Sequence, residues 1–293
     1  MGRITSYPNA TTFDSAADVI IKDGTNGTKK MTIDNLAIQN AEYFCRTSAN
    51  RLSRRMVYRA LNLGTTFTSD QNAALAGSNP TFDNMYVGSY WTINGHKYVI
   101  ADFDYWYGKY DKLKSAENTD TEAENVHHIV LIPSFTHTSQ KMNDTNTTEG
   151  AYLGSKMYTE NMDEVRQIIE EDWGAHIVTH REIFSNAVTD GVPSAHIWTD
   201  SRIDLMNEPM VYGHYAFSPL PVNGYNHDHY TIDRDQLAIF KLDPGFLRTS
   251  FSGWLRDVSS ALHFAGAYYY GNANYYYASN TNSVRPAFAI KAV

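Results

Sequence analysis

Cysteine is almost absent from the sequence, and this limits the chemistry open to the chain. Cys45 is the only cysteine among 293 residues. A disulfide within the chain needs two thiols, and a metal cluster held by thiolates needs more. The chain can therefore form neither of them from its own side chains.

Long apolar runs and basic charge are also lacking. No apolar run reaches 18 residues, and the opening residues have no stretch of signal-peptide length, so we expect a soluble protein made in a cytoplasm, without membrane insertion. The formal net charge is -8, and the densest basic run, Arg51–Arg59, is typical of one face of a helix. Because nucleic acid binding depends on basic surfaces, no nucleic acid partner is predicted.

Tyrosine, in contrast, is abundant and locally concentrated. Six tyrosines lie between Tyr268 and Tyr277, and four asparagines lie between Asn272 and Asn282. Core strands alternate apolar and polar residues, and disordered segments are poor in aromatics, so the stretch fits neither pattern. Tyrosine offers a large contact area, a polar tip and few rotatable bonds, which suits binding surfaces. The composition therefore indicates a binding function.

Residues 1–62 predict a small module that differs from the rest of the chain. An apolar strand at 19–22 and a second strand at 29–33 enclose a glycine-containing turn. Asp34 is placed to cap a following helix. One hairpin with one helix is too small to be stable alone. We therefore expect this module to oligomerise or to attach the protein to something larger.

Residues 63–293 predict one larger domain of the α+β class. The pair Asn94-Gly95 between two strand patterns predicts a hairpin. Apolar residues at helical spacing predict a helix that ends at Gly174. Glycine, asparagine and proline are frequent from residue 186 to 230, which predicts long ordered loops.

Three carboxylates raise the question of glycoside hydrolysis, which uses a pair of acids. Asp200 and Asp204 share one face at helical spacing, and Glu208 follows them. A solvent-exposed face of a structural helix that ends at Pro209 explains this pattern more simply. No catalytic residue is predicted.

Histidines near carboxylates raise the question of a metal site. Five side chains would meet if two strands pair: His96, Asp102, Asp104, His127 and His128. Adjacent residues of a strand point to opposite faces, so His127 and His128 do not easily bind one ion, and structural histidines are favoured. The pair His227 and His229 is a weak signal in what we expect to be a solvated loop. No metal and no cofactor are predicted.

Two signatures near the end of the chain carry a family resemblance. "WLRD", Trp254–Asp257, and "VRPAFAI", Val284–Ile290, resemble phage and prophage proteins whose C-terminal domain has the C-type-lectin-like fold, related to the formylglycine-generating enzyme. The N-terminal "DGTNGTKKMTIDNLA" resembles the opening module of phage tail proteins. Segments from residue 64 onward are also similar to such proteins: "IADFDYWY", "HHIVLIP", "TTEGAYLGSKMY", "LMNEPMVYG" and "YTIDRDQLAIF".

The resemblance implies a rigid platform that displays loops between two framework strands. The enzymatic relative works through cysteines, and residues 64–293 contain none, so its activity is not expected. In several of these phage proteins the segment before the last strand is the target of a diversity-generating retroelement, which introduces errors at template adenines. Codons of the form AAC or AAT then change from asparagine to tyrosine, histidine, aspartate, serine, threonine or isoleucine.

The segment of about residues 261–284, called the Tyr/Asn segment below, is rich in the amino acids that these codon changes produce. The resemblance implies that its reachable residues bind the ligand: His263, Tyr268, Tyr269, Tyr270, Asn272, Asn274, Tyr275, Tyr276, Tyr277, Asn280, Thr281 and Asn282. Strand alternation places Tyr269 and Tyr276 inward and their neighbours outward. The predicted framework residues are Trp254, Arg256, Asp257 and Arg285. We expect a buried ion pair of these arginines and the carboxylate to tie the flanking strands together.

The expected function is that of a phage tail-tip receptor-binding protein that determines host tropism. The expected location is the virion, after synthesis in the bacterial host cytoplasm. The expected assembly is a homotrimer whose partners are other phage tail proteins and a host cell-surface protein or glycan. Two alternatives stay open: an enzyme that degrades envelope polysaccharide, and an inert structural virion protein.

Overall fold

The structure, a computed structural model, has two units formed by residues Met1–Asn50 and Arg51–Val293. Helices and strands are mixed along the chain, which confirms the α+β class. The residues that it describes are 18–23, 27–32, 51–108, 122–134, 139–219, 236–248 and 253–293.

The described part of the first unit is a β-hairpin. Strand β1, Asp18–Asp23, pairs antiparallel with β2, Gly27–Thr32. This confirms the two predicted strands, and the residues of the predicted turn between them, 24–26, lie outside the described ranges. The predicted helix after Asp34 lies outside the described residues.

The second unit begins earlier than residue 63, because the basic run belongs to it. Residues Arg51–Met56 form a short 3₁₀ helix. The Arg54 guanidinium donates to the backbone carbonyls of Phe82 and Met85, at 2.8 and 2.6 Å. Both Arg54 and Arg55 are buried. The predicted module of residues 1–62 is therefore longer than the first unit.

One antiparallel sheet of five strands lies at the centre of the second unit, within the described residues. Two of its three inner strands, Ile129–Pro133 and Pro286–Ile290, are buried at every residue, because both are apolar runs covered on two faces. The strands, in sheet order, are β3 (Tyr90–Ile93), β4 (His96–Phe103), β5 (Ile129–Pro133), β14 (Pro286–Ile290) and β9 (Ile203–Leu205).

The connection between β3 and β4 is the predicted two-residue turn. Asn94 has φ 49° and Gly95 has φ 88°. Two successive positive φ angles match the strand twist of a hairpin, and asparagine followed by glycine adopts them at low cost. The sequence signal at this position is thus confirmed.

Short helices pack around the sheet. The longest is the predicted one, Asp163–Trp173, which buries Val165, Ile169 and Trp173 and ends at Gly174 with φ 48°. The helices in chain order are α1 (Ser69–Leu75), α2 (Glu122–Asn125), α3 (Asp163–Trp173), α4 (Glu208–Tyr212) and α5 (Ala238–Leu242). Shorter turns of other helix types lie at Met157–Asn161, Gly174–His176 and Pro244–Arg248.

The prediction of long loops after residue 186 is wrong for its first part. Strands β7, His180–Thr189, and β8, Val192–Ser201, form a long hairpin. Its turn has positive φ angles at Asp190 and Gly191. Much of the hairpin is partly exposed on both faces, so its strands lack the alternation of apolar and polar residues that marks a half-buried strand.

The predicted helix through Asp200 and Asp204 is also wrong. Asp200 lies in β8, Asp204 lies in β9, and helix α4 begins only at Glu208. The side chain of Asn207 caps α4, and Pro209 lies in its first turn instead of ending it. Proline is favoured at that position because the first turn needs no backbone donor there.

The Tyr/Asn segment lies within a smaller sheet. Strands β10 (Gly253–Val258), β11 (His263–Ala267) and β12 (Ala273–Tyr277) pair antiparallel in that order. The chain then forms β13 (Thr281–Asn282), which pairs with β6 (Gln140–Lys141), and continues into β14. The two signatures therefore lie on strands that flank the segment, as predicted. Among the described helices, none is long and apolar enough to cross a membrane.

Candidate ligand-binding surface

Strand β12 exposes alternate tyrosines. Tyr275 and Tyr277 are 47% and 45% exposed. The ring of Tyr276 points to the other face and packs edge-on against buried Trp254, at 5.8 Å between centroids. Alternation along the strand causes this difference. Tyr276 therefore points inward, as alternation predicts, and is not among the exposed residues of the segment.

A line of rings runs across the exposed face of β11 and β12. The centroid distances are 4.1 Å from Tyr277 to His263, 5.2 Å from His263 to Tyr275 and 5.1 Å from Tyr275 to Phe217. We call these four residues the aromatic row. His263 stands opposite Tyr277 in the strand register, which explains their contact. The row offers ring faces and edges to a ligand.

Phe217 belongs to this row although the sequence analysis did not identify it. It comes from the segment after α4 and is 44% exposed. The sequence around Phe217 has no helix or strand period, so no pattern places this residue near residues about sixty positions later. Only the tertiary fold brings it to Tyr275.

His263 contributes a neutral ring to the row. Burial lowers the pKa of His263 below its ordinary value. Its Nδ1 lies 2.7 Å from the Ser260 hydroxyl, which fixes the ring orientation. At neutral pH the aromatic row is therefore uncharged.

A second cluster lies at the turn between β11 and β12. Tyr268, Tyr269 and Tyr270 stack on one another with centroids 4.0 to 5.7 Å apart. Hydrogen bonds with the hydroxyls of Tyr268 and Tyr270 raise the pKa of Tyr269. Tyr269 and Tyr270 are 38% and 66% exposed, so the prediction that Tyr269 points inward is wrong. It lies in a turn, where the alternation of strands does not apply.

The amide side chains of the segment differ in exposure. Asn272, Asn280 and Thr281 are exposed, whereas Asn274 is partly buried. The Asn274 amide oxygen accepts the backbone N–H of Tyr275 at 2.8 Å. Asn282 is only 9% exposed because it faces inward from β13. This burial does not favour its predicted role in contacting a ligand.

The Tyr/Asn segment carries no formal charge. Between Asp257 and Arg285 the sequence has no aspartate, glutamate, lysine or arginine. The exposed groups of the segment are aromatic rings, phenol hydroxyls, amides and small side chains. Such a surface binds by stacking, apolar contact and neutral hydrogen bonds.

The predicted framework residues are buried or partly buried, and Arg256 also pairs with a carboxylate that the sequence did not indicate. Arg256 forms a buried ion pair with Glu182 of β7. Its guanidinium also lies over the Phe184 ring at 4.3 Å. The ion pair thus ties β10 to the β7–β8 hairpin, and the charge of Arg256 also acts on Asp257, lowering its pKa against the larger effect of burial. Glu182 lies three strands before Arg256 along the chain, so no local sequence pattern indicates that the two residues pair.

The other framework residues each make a distinct contact. Buried Trp254 donates from its indole N–H to the Gln140 carbonyl at 2.7 Å. The Arg285 guanidinium lies 5.0 Å over the Phe246 ring, and burial lowers the pKa of Arg285 to about 9. Each contact joins a flanking strand to a neighbouring element.

Asp257 connects β10 to helix α4. Its carboxylate accepts the Glu208 backbone N–H at 2.5 Å. Burial, and next the charge of the Glu208 carboxylate, raise the pKa of Asp257 to about 7. Two carboxylates so close disfavour each other's ionised form.

The three carboxylates considered for glycoside hydrolysis lie in different surroundings. Asp200 is exposed and pairs with Arg181 at 2.7 Å. Asp204 is buried, accepts the Tyr152 hydroxyl at 3.0 Å, and has its pKa raised by burial to about 6. Glu208 is fully buried and accepts two backbone N–H groups. Nothing in these contacts joins the three into one site.

The histidines considered for metal binding make structural hydrogen bonds. His127 lies 2.9 Å from Asp104, and the His128 Nε2 accepts the Trp106 backbone N–H at 3.1 Å. Burial lowers the pKa of His128, which keeps its ring neutral. Within the described ranges, no group of three or more histidine, cysteine, aspartate or glutamate side chains is arranged to hold a metal ion. His227 and His229 lie outside those ranges.

Comparison of the chain with protein-family models, with curated proteins and with solved structures finds no match. The surface described above therefore carries the functional argument.

Proposed function

We propose that the chain is a receptor-binding protein of a phage or prophage tail tip, and that the Tyr/Asn segment binds a host-surface ligand. The observation that carries this proposal is the exposed, uncharged aromatic surface of β11, β12 and their turn. Tyr270, Tyr275 and Tyr277 are each about half exposed or more. Contiguous exposed aromatic surface is costly for a protein that has no partner.

The proposed fold of the second unit is C-type-lectin-like. Two points support it: the resemblance of the flanking strands, and the position of the Tyr/Asn segment between β10 and the central strand β14. In such an arrangement the displayed residues lie on a small sheet beside a packed core. Their side chains can then change without unfolding the domain.

Diversification by a retroelement is part of the proposal. The residues of the segment that a single adenine change in AAC or AAT does not produce include four that are buried, Phe264, Ala265, Gly266 and Ala278, and two that are exposed, Ala261 and Leu262. Most residues that those codons do reach are exposed or partly exposed, with Asn282 as the exception. This division supports a segment in which only outward positions vary.

We further propose that the first unit, Met1–Asn50, attaches the protein to other phage tail proteins and makes it a homotrimer in the virion. Repeated weak sites on one particle gain strength through effective concentration. The receptor would be a protein or a glycan of the host surface. The hairpin β1–β2 supports this proposal because it is too small to be stable alone.

Sequencing this gene across sibling phages or lysogens tests the proposal. We expect amino-acid changes to concentrate at the exposed positions of residues 261–284, with changes limited to those that adenine mutation produces. Trp254, Tyr276 and Ala278 should change rarely, because they are packed in the interior. Changes spread evenly along the chain would contradict diversification.

A further inference from the structure

One ring of the aromatic row comes from outside the Tyr/Asn segment. Phe217 packs edge-on against Tyr275, with 5.1 Å between the ring centroids. It is 44% exposed, so the core does not enclose it. An exposed ring without a core around it needs another restraint to keep one position. The backbone of its own segment provides that restraint.

Buried Glu208 holds the backbone of this segment at two adjacent positions. One carboxylate oxygen accepts the Phe217 N–H at 3.0 Å, and the other accepts the Ser218 N–H at 2.9 Å. Glu208 is 0% exposed and Ser218 is 7% exposed. Charge-assisted hydrogen bonds of this kind are stronger than neutral ones.

Glu208 is itself fixed from two sides. Asp257 of β10 accepts its backbone N–H, and Asn207 caps the helix that it begins. The chain of contacts therefore runs from a framework strand through Asp257 and Glu208 to Phe217, and from Phe217 to Tyr275. Each link is a hydrogen bond or ring contact between described residues.

We propose that Phe217 is a fixed member of the ligand-binding surface and that Glu208 is the positioning residue that holds it against Tyr275. This inference rests on the proposed function of the surface. Tyr275 lies in the segment proposed to vary, whereas Phe217 does not. Phe217 then forms a constant end of the aromatic row, against which each variant of residue 275 packs.

The test is Glu208→Gln in the full-length protein, followed by NMR. Glutamine has one acceptor oxygen and one donor group at its end, so it can accept only one of the two N–H groups. We expect the Phe217 or Ser218 amide to exchange with solvent about tenfold faster or more, because a hydrogen bond to a charged group is lost. The nuclear Overhauser contact between the Phe217 and Tyr275 rings should weaken or vanish.

Two controls make the result specific. The Trp254–Tyr276 ring contact must persist, since it reports the folded β10–β11–β12 sheet. Glu170→Gln, at an exposed carboxylate that pairs with Arg202, should leave both amides and the Phe217–Tyr275 contact unchanged. A Phe217–Tyr275 contact that survives unchanged in folded Glu208→Gln overturns the positioning role.

Measurements on the unsubstituted protein cover the case in which Glu208→Gln does not fold. We expect its Phe217 and Ser218 amides to be protected from exchange, and the Phe217–Tyr275 ring contact to be present. Unprotected amides, or no ring contact, overturn the inference without any variant.

Adsorption to cells of the phage's host bacterium separates this inference from the proposed function. If the surface binds the receptor with Phe217 as a member, both Phe217→Ala and a variant that replaces exposed tyrosines of the segment lose adsorption at least tenfold. If only the tyrosine variant loses adsorption, Phe217 is not part of the surface. If neither variant loses adsorption, the proposed function itself is wrong.

Discussion

At the scale of single residues, tyrosines that are neighbours in the sequence point to opposite faces of their strand. Tyr275 and Tyr277 face outward, and Tyr276 between them packs on Trp254. Identical side chains are thus exposed or enclosed according to strand position alone. The sequence predicts the alternation, because the strand pattern is local. It does not predict Phe217, because the contact with Tyr275 depends on the path of the chain after α4.

Replacement of Tyr276 should affect stability more than replacement of Tyr277. We expect Tyr276→Ala to lower the free energy of unfolding by about 2–4 kcal/mol, because it removes a packed ring and leaves a cavity. Tyr277→Ala should cost about 0.5 kcal/mol or less, as surface substitutions do. Urea denaturation of both variants measures the difference. Equal losses would contradict the inward position of Tyr276.

The buried ion pair of Arg256 and Glu182 should matter more than an exposed pair. Arg256→Ala leaves the Glu182 carboxylate buried without its cation, and we expect a loss of about 3–5 kcal/mol. Arg202→Ala removes one partner of the exposed pair with Glu170 and should cost about 1 kcal/mol or less. Chemical denaturation of both variants at one pH compares their losses in the free energy of unfolding. A small loss for Arg256→Ala would show that the pair does not hold β10 to β7.

Asp257 should make stability depend on pH near neutrality. Its folded pKa of about 7 lies above the ordinary value of 3.8. Between these values the folded state keeps a proton that the unfolded chain has released, so raising the pH through this window lowers the contribution of Asp257 to stability. Asp257→Asn cannot ionise, yet its amide oxygen still accepts the Glu208 N–H.

We therefore expect the stability of Asp257→Asn, relative to the unsubstituted protein, to improve as the pH rises from 5 to 8. Denaturation curves at several pH values measure this difference, in which the other titrating groups largely cancel. A difference that does not vary with pH would show that Asp257 titrates alike in both states.

At the scale of elements, patterns within one helix or hairpin were predictable and contacts between distant elements were not. The turn at Asn94-Gly95 and the helix that ends at Gly174 have local signals. The β7–β8 hairpin has none, because it is partly exposed on both faces. The position of Asp204 is missed for a different reason: its strand β9 has only three residues, which is too short to show a period.

Gly266 of β11 is required by the packing of the small sheet. A Cβ atom at this position would lie 2.6 Å from the Tyr276 ring and 2.9 Å from the Gly253 carbonyl oxygen. We expect Gly266→Ala to displace Tyr276 and cost about 1–3 kcal/mol, as overpacking does. Gly95→Ala is the matched control, because only its φ of 88° opposes the substitution and no atom lies within 4 Å.

Proton NMR of the Tyr276 ring distinguishes these two glycine variants. Its ring signals should shift in Gly266→Ala and stay in place in Gly95→Ala. Unchanged Tyr276 signals in Gly266→Ala would contradict the close approach of ring and strand.

At the scale of the whole molecule, the exposed rings of the Tyr/Asn segment and the buried residues that hold its flanking strands are different residues. The charged side chains of residues 253–285 belong to the framework residues Arg256, Asp257 and Arg285. The residues between Asp257 and Arg285 are uncharged. The framework is anchored by Arg256 on β7 and Trp254 on β6. This separation lets the exposed rings change while the support stays constant. Composition alone revealed the uncharged aromatic stretch, and the fold was needed to show which of its rings face outward.

Adsorption of the labelled protein to bacterial cells tests the proposed receptor binding most directly. The variant replaces four exposed tyrosines with serine, at positions 269, 270, 275 and 277. We expect its melting temperature to change by only a few degrees, because surface changes cost little, and its adsorption to fall at least tenfold. Adsorption equal to that of the unsubstituted protein, in a variant that stays folded, would contradict the account.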